Sequence, residues 1–506
     1  MTPRTLGLIL TIYAFLAALF RWLGYQVPVA KVPFLGGSSA GWVLVTALGL
    51  AGLRLLLKGQ REWQLSPLTV KQIKRFRSLR RGYISFLILL GLAGLASLDN
   101  LLVGKRALIV SHHGQLSFPF LRSDVIPGKF FGLTYDAETN YRELSRRFQA
   151  ENKGDWVLLP PVPYAPSLDS EDIIETLEQR GDGKIYRQGE KEPFNGRAYT
   201  LFKANPEQKR QEFTYRAGLL QGEMRGWDAK GEQVERAKYD HGKQVGYTDY
   251  TSDKNAPSLE AEAAAERYTI IYPPAPPSWK HGHYLGTDSS GLDVLAVLYG
   301  GLQQALIAAT LFVTVVFVVG IFVGGVVGYF GGWLDLVAQR LIEIWGVLPF
   351  LFVVMIVSSL IQPTLLILVG IIAAFGWMGT ATYLRTATYR EKARDYVASA
   401  RLLGASTGRI LFKHILPNTI AILVTLAPFE IAGVITSLAA LDFLGFGLPP
   451  EVPSWGRLLH EGTESFNYPW IVSAAFSAMV GTLILVTFVG EAVREAFDPK
   501  KFTIYR

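Results

Sequence analysis

Apolar residues gather in long blocks along this chain, separated by charged stretches. The first block runs from about Leu6 to Phe20, the second from Ala40 to Leu57 and the third from Tyr83 to Leu98. A long polar stretch, Asp99–Ser290, follows. Beyond Gly300 the apolar pattern returns and predicts helices near Gln303–Tyr329, Arg340–Ile361, Thr364–Tyr383, Ile420–Ala440 and Trp470–Val489. A helix crosses a bilayer with about 20 residues, so three blocks before the polar stretch and five after it predict eight spans. Gln362-Pro363 breaks the run from Leu348 to Trp377 and predicts a tight turn between two helices.

Charge orients these blocks. Between Lys58 and Arg81 there are eight Lys or Arg and one acid, Glu62. Arg385–Lys413 carries seven Lys or Arg against two acids. Lys and Arg concentrate in cytoplasmic loops, so both segments and the tail EAVREAFDPKKFTIYR are expected in the cytoplasm. The first two blocks then form an extra amino-terminal hairpin, residues 1–57, with its tip around Gln26–Ser39 outside. The first run, with one basic residue before it and no convincing cleavage site after it, reads as a retained helix rather than a signal peptide. The basic segment is 58–82, the third helix 83–98, the outer domain 99–290, the second helical block 291–497 and the tail 498–506. Parity puts the outer domain outside, and long translocated domains ignore the positive-inside bias.

Within the outer domain, Tyr215-Arg-Ala-Gly218-x3-Gly222 recurs as Tyr239-Asp-His-Gly242-x3-Gly246, 24 residues on. Tyr186, Gly189 and Gly196 form a degenerate third copy. Glycines at turn spacing between aromatic and polar residues predict stacked β-hairpins over 184–251; chance glycine spacing is the alternative. Pro273, Pro274, Pro276 and Pro277 predict a stiff connector back to the membrane.

Composition fits a membrane protein. Half of the 506 residues are hydrophobic and the mean hydropathy is +0.24. The net charge of +8 follows from the basic loops, and no basic-aromatic nucleic-acid module accompanies it. The absence of cysteine excludes disulfides, thiol catalysis and cysteine-held metals. His112-His113 and His281-x-His283 are metal-capable pairs without a clear third ligand, so no metal site is assigned. No nucleophile–base constellation points to an enzyme.

The segment DYVASARLLGASTGRILFKHILPN carries the most specific signal. Ala398, Ser399, Ala400, Ala405 and Ser406 are small, Gly404 lies among them, and Arg394, Arg401, Arg409 and Lys413 surround them. A short helix, a glycine turn and a second helix opening near Pro417 make a knob for another protein's groove. A basic loop resting on anionic lipid is the other reading. The wording resembles the EAA loop of ABC importer permeases: Glu-Ala-Ala, three residues, Gly, nine residues, then Ile-x-Leu-Pro. Here Ala398-Ser399-Ala400, Gly404 and Leu416-Pro417 match, with Ala398 in the Glu position and His414 in the Ile position. His-Ile-Leu-Pro-Asn is the usual close in the peptide-type branch.

Further segments resemble the same family in order. HYLGTDSSGLDVLAVLYGG, with Gly286, Thr287, Asp288, Gly291 and Asp293, matches its lead-in to the core; Asp288 or Ser289 is expected to cap the helix. Leu292, Val294, Leu295 and Leu298 are expected at the membrane interface. GYFGGWLD near Tyr329 and LDFLGFGLPPEVPSWGRLL, Leu441–Leu459, also fit. The basic RFRSLRRGY, the outer insertion with LSFPF at Leu116–Phe120, and PPAPPS look like the second permease of the microcin C and oligopeptide importer.

The resemblance implies an all-α polytopic protein, a type I importer core of about eight transmembrane helices, with an inserted extracytoplasmic domain of MORN-like β-hairpins. It implies residence in the bacterial inner membrane with the large domain in the periplasm. It implies a heterodimer with a second permease, a peptide-binding protein outside, and cytoplasmic ATPases that hold ATP and magnesium. This chain has no G-x-x-x-x-G-K-[ST] loop and is expected to bind no cofactor. Ala398, Ser399, Ala400, Arg401, Gly404, Ala405, Ser406 and Pro417 are the residues it implies for ATPase coupling. Glu430, an acid within an apolar run, lines the path and meets a substrate amine, or pairs with a neighbouring helix or the partner subunit. Competing classes are a membrane-anchored repeat receptor without transport, nickel import by the same branch, and an ion-coupled carrier, which expects several intramembrane acids or paired broken helices.

Overall fold

A computed structural model describes residues 3–22, 46–47, 49–56, 67–98, 100–122, 124–170, 173–188, 190–201, 208–228, 230–249 and 267–498. Gly189, the hairpin tip Gln26–Ser39, Glu62 and the end of the tail lie outside these residues. The chain divides into two compact units: Met1–Asp169 with Pro276–Asp288 and Leu292–Arg506, and Ser170–Ala275 with Ser289–Gly291.

The first unit holds the apolar helices. Helix α1 (Pro3–Trp22) meets helical residues 49–56 (α2) where glycines remove side chains: a Cβ on Gly7 would stand 2.9 Å from the Gly52 carbonyl. The basic segment is itself helical, α3 (Pro67–Ser78), and turns by 93° at Leu79 into α4 (Arg80–Ala96). Arg75 of α3 reaches Glu495 at 3.3 Å.

The core contains α6 (Val294–Phe330), α7 (Gly332–Val347), α8 (Phe350–Leu360), α9 (Leu365–Lys392), α10 (Asp395–Leu402), the short turn α11 (Thr407–Arg409), α12 (Leu416–Phe443), α13 (Trp455–Glu464) and α14 (Pro469–Phe497). Four of these, α6, α9, α12 and α14, are long and apolar enough to span a membrane, and the total among the described residues is up to six if each of two bent pairs, α3–α4 and α7–α8, is one span. The single helix expected over Arg340–Ile361 is instead α7 and α8, bent by 68°. The cause is Pro349: the residue before a proline is driven out of the helical region, and Leu348 has ψ 125°. Gln362-Pro363 does separate two helices, α8 and α9. Helix α6 begins nine residues before its expected start, because the polar residues Tyr299, Gln303 and Gln304 interrupt its apolar run without ending the helix.

Helices α6 and α9 pack most extensively. Gly320, Gly324 and Gly328 recur every four residues on α6, and small residues at that spacing let helix backbones approach closely. A Cβ on Gly328 would lie 2.6 Å from the Arg385 carbonyl. Phe312 and Val316 of α6, Leu368 and Ile372 of α9, Val354 of α8 and Val434 and Leu438 of α12 fill the core between them.

Residues 100–169 add a small sheet, β1 (Ile109–His112), β2 (Gln115–Ser117) and β3 (Trp156–Leu158), in the order β2-β1-β3. Its inner face packs Val110 against Phe131, Tyr141, Leu144 and Phe148. Tyr141, Leu144 and Phe148 lie on α5 (Tyr141–Glu151), whose Asn140 cap accepts the Arg142 and Glu143 amides.

The second unit is one antiparallel sheet among the described residues. It holds β4 (Ile173–Gln179), β5 (Ile185–Arg187), β6 (Gly196–Leu201), β7 (Lys209–Arg216), β8 (Leu219–Leu220), β9 (Gly222–Trp227), β10 (Gln233–Asp240), β11 (Lys243–Asp249) and β12 (Arg267–Ile271). Their order is β11-β10-β9-β7-β6-β12-β4-β5, with β8 beside β7. The repeated glycines do close hairpins. Ala217-Gly218 and His241-Gly242 have φ of +49° and +78°, and +47° and +78°, the paired positive values of a tight two-residue turn. Tyr215 and Tyr239 both enter the buried core with Phe213, Met224 and Ala237.

Candidate functional site

The segment expected to couple is a helix, a tight reversal and a second helix. Helix α9 ends at Lys392, Arg394 is extended, and α10 begins at Asp395. After Leu402 the chain reverses at Gly404, φ +78°. The Gly404 amide donates to the Arg401 carbonyl and the Ala405 amide to the Ala400 carbonyl, each at 3.0 Å. This pair of bonds is a Schellman motif, in which a left-handed glycine satisfies the helix's last carbonyls and flanking apolar residues touch. Ala400 and Ala405 make that contact, in a cluster with Tyr329, Val397, Ile410 and Ile415.

The geometry divides the predicted coupling residues by task. Ala400 is buried, so it shapes the knob from inside and does not face a partner. Gly404 forms the reversal and Ala405 packs beneath it. Arg401 is anchored on Tyr329 at the end of α6, donating to its hydroxyl at 3.3 Å with its guanidinium 5.8 Å from the ring. Ala398, Ser399, Ser406 and Pro417 are exposed. Ala398, which the resemblance sets in a Glu position, is exposed and takes no part in the packing beneath the turn.

Leu402 and Leu403, which the motif reading passed over, are 89% and 87% exposed at the tip. Two adjacent leucines just before the terminating glycine of a short polar-loop helix were the available signal. Burial and a hydrogen bond to Glu391 hold the Tyr396 phenol above its ordinary pKa, so it remains a neutral donor. Asn418 in turn donates to Tyr396. The second helix starts earlier than Pro417 predicts. It runs from Thr407 through a π-helical stretch, Ile410–Ile415, into α12. The wider turn lies just ahead of a proline that has no N–H to donate.

The lead-in motif is a closed loop. Thr287 bridges Asp293, the Asp288 carboxylate accepts the Leu292 amide at 2.8 Å, and Val294 donates to the Gly286 carbonyl. Gly286 and Gly291 take the left-handed conformation the loop needs, φ +76° and +82°. The helix cap is Asp293, which accepts the Ala296 amide at 2.8 Å, and not Asp288 or Ser289. Asp288 is occupied by Leu292, within the loop. Val294 is fully buried, and the partly buried Leu292, Leu295 and Leu298 pack against neighbouring clusters.

His283 approaches the other oxygen of Asp293 at 2.9 Å and stacks on Tyr164 at 4.1 Å. Arg142 covers Tyr164 and forms a bidentate pair with Asp169, 2.7 and 2.9 Å. His283 is thereby committed to structure. Asp155 stands beside the His112-His113 pair, a third ligand-bearing group that sequence spacing did not supply.

Two further features complete the core. Glu430 on α12 accepts from Thr380 of α9 at 3.4 Å, a neighbouring-helix contact for an intramembrane acid. Asp442 organises the loop before α13: it accepts the Leu448 amide at 2.6 Å and the hydroxyl of Ser454, the α13 cap.

Four helices long and apolar enough to span a membrane, with a basic loop between two of them, mark a multi-pass membrane protein. The family model for the binding-protein-dependent transport system inner membrane component matches residues 317–503. The peptidoglycan transport system permease protein YejE of Agrobacterium fabrum is 31% identical over 453 residues, 89% of this chain and 98% of that protein. The inner membrane ABC transporter permease protein YejE of Escherichia coli is 30% identical over 439 residues, 87% and 99% of the two chains. The oligopeptide transport system permease protein OppC of Mycobacterium tuberculosis aligns over 234 residues at 32% identity, 46% of this chain and 80% of that one. The chain belongs to this permease family. It is a multi-pass inner-membrane, non-catalytic subunit of an ABC importer, a class that works with ATPase and substrate-binding components. The transport-free receptor reading and the nickel alternative are set aside by these relatives.

Proposed function

We propose that this permease imports peptides or peptide-like compounds, including cell-wall fragments, and that the knob from Asp395 to Asn418 couples it to a cytoplasmic ATPase. The carrying observation is the exposure of Leu402 and Leu403 on a rigid Schellman turn anchored to α6 through Tyr329. Two adjacent exposed leucines on a basic loop form a small apolar patch that fits a partner's apolar groove. A knob whose base packs on the end of a membrane helix transmits a push to that helix. ATP and magnesium belong to the ATPase, and this chain binds no cofactor in transport. The substrate class comes from the relatives named for peptidoglycan and oligopeptides.

In this reading the chain pairs with a second homologous permease and receives substrate from a peptide-binding protein in the periplasm. It crosses the membrane eight times: the amino-terminal hairpin, α4, the bent pair α7–α8 and the four long helices. The β-hairpin unit is MORN-like and lies on the periplasmic side. Glu430 faces the path between the permeases.

The lack of cysteine makes the test direct. A Leu402→Cys chain should crosslink to the ATPase subunit and resist a membrane-impermeant thiol reagent in intact cells. A Tyr247→Cys chain should react with that reagent in spheroplasts. The opposite labelling pattern contradicts the topology, and failure of Leu402→Cys to crosslink contradicts the docking.

A further inference from the structure

We propose that His112, His113 and Asp155 form a divalent metal site of the zinc class, distinct from the coupling and lead-in sites. The three residues meet because of strand register. Strand β1 pairs with β3 as Ile109↔Leu158, Val110↔Val157 and Ser111↔Trp156, so the next step sets His112 opposite Asp155. Their side chains meet with His112 Nδ1 3.1 Å from Asp155 Oδ2. The other carboxylate oxygen accepts the His113 amide at 2.9 Å.

His113 is in the tight turn between β1 and β2. It takes φ +48°, with Gly114 at +77°, a conformation uncommon for a residue with a side chain. That turn folds its ring back beside His112, with centroids 4.0 Å apart. One ligand atom from each of the three residues falls within 4.8 Å of the other two.

A tetrahedral zinc with bonds of about 2.0–2.1 Å separates its ligand atoms by roughly 3.4 Å. The cluster needs only a modest contraction to reach that geometry. His112 is preorganised: its ring stacks on Phe148 at 5.4 Å and meets the edge of Phe131 at 5.7 Å, both in the buried core. His113 is exposed, and among the described residues no hydrogen bond engages its ring, so it is free to swing onto an ion. Two imidazoles and one carboxylate suit zinc, and suit calcium or magnesium poorly because those ions take oxygen ligands. Three protein ligands leave a fourth position open to water or an incoming group. A bound ion would tie the tip of the β1–β2 hairpin to the start of β3. The site does not depend on the transport reading.

The test uses the full chain in detergent, without a polyhistidine tag and stripped with a chelator. Zinc is titrated calorimetrically and cobalt by visible absorption, where a chain without thiols reports only nitrogen and oxygen ligands. The wild type should bind about one equivalent, show a tetrahedral cobalt band and melt at a higher temperature with zinc. His113→Ala, at an exposed turn that bears no core contact, should weaken binding by at least about tenfold, and Asp155→Asn should act likewise. His241→Ala, in the other histidine turn, should bind as the wild type does. No binding by the wild type at micromolar zinc, or undiminished binding by His113→Ala and Asp155→Asn, overturns the proposal.

Discussion

His283 and Asp293 form a buried pair, 2.9 Å apart, in which one carboxylate serves two structures. One oxygen meets the imidazole and the other caps α6 at the Ala296 amide. Asp293→Ala removes the cap and strands a buried histidine, at a cost of about 2–4 kcal/mol. Asp293→Asn keeps an acceptor for the cap and should lose less. Thermal unfolding in detergent should rank wild type above Asp293→Asn above Asp293→Ala. Equal melting of all three would show that the pair carries no stability.

Gly404 tests the shape of the knob. Its φ of +78° favours glycine and tolerates asparagine. Gly404→Asn should keep ATPase docking, whereas Gly404→Trp strains the turn by about 1–2 kcal/mol and fills the surface beside Leu403. The Trp variant should remain inserted in the membrane yet lose the ATPase on co-purification. Unchanged co-purification would remove Gly404 from the coupling surface.

The α6 glycines separate close packing from open surface. A Cβ on Gly328 meets the Arg385 carbonyl at 2.6 Å, whereas one on Gly325 meets nothing within 4 Å. Gly328→Leu should therefore force α6 from α9 and lower the yield of folded protein sharply. Gly325→Ala should keep it and gain up to about 1 kcal/mol in helix propensity. Similar yields of monodisperse protein from both variants would contradict this packing.

Arg142 and Asp169 test the support under Tyr164. Both side chains are about nine-tenths buried and their pair is bidentate. Removing one partner of such a pair leaves an uncompensated charge and costs about 3–5 kcal/mol. Arg142→Met should lower the melting temperature, and adding Asp169→Asn should recover part of the loss. Additive losses in the double variant would argue against coupling between them.

Much of this architecture was legible along the chain, because the signals are local. Apolar runs marked the helices, Gln362-Pro363 marked a turn, and the glycines at 218 and 242 marked hairpins. The EAA-like pattern falls on a helix–turn–helix for a local reason too: Ala400, Gly404 and Ala405 occupy the positions a Schellman turn requires. What escaped depends on distant partners. Asp293 took the cap because Asp288 was engaged by Leu292 across a loop closed at Gly291. Asp155 reached His112 through strand register over 43 positions. Leu402 and Leu403 are recognisable as an exposed pair only once Ala400 is seen to face inward. Pro349 was visible, but the apolar run around it hid the break.

In the proposed coupling, ATPase motion enters through the Leu402–Leu403 tip and drives import. Burying two leucines contributes about 3 kcal/mol or more, roughly a hundredfold in affinity. The measurement is uptake of a labelled oligopeptide into proteoliposomes that hold this chain, its partner permease and the ATPase, with the binding protein outside. Uptake should require ATP and fall to background in the Leu402→Ser, Leu403→Ser chain, with assembly of the two permeases intact. Uptake that persists without ATP, or that the double substitution leaves unchanged, would contradict the account.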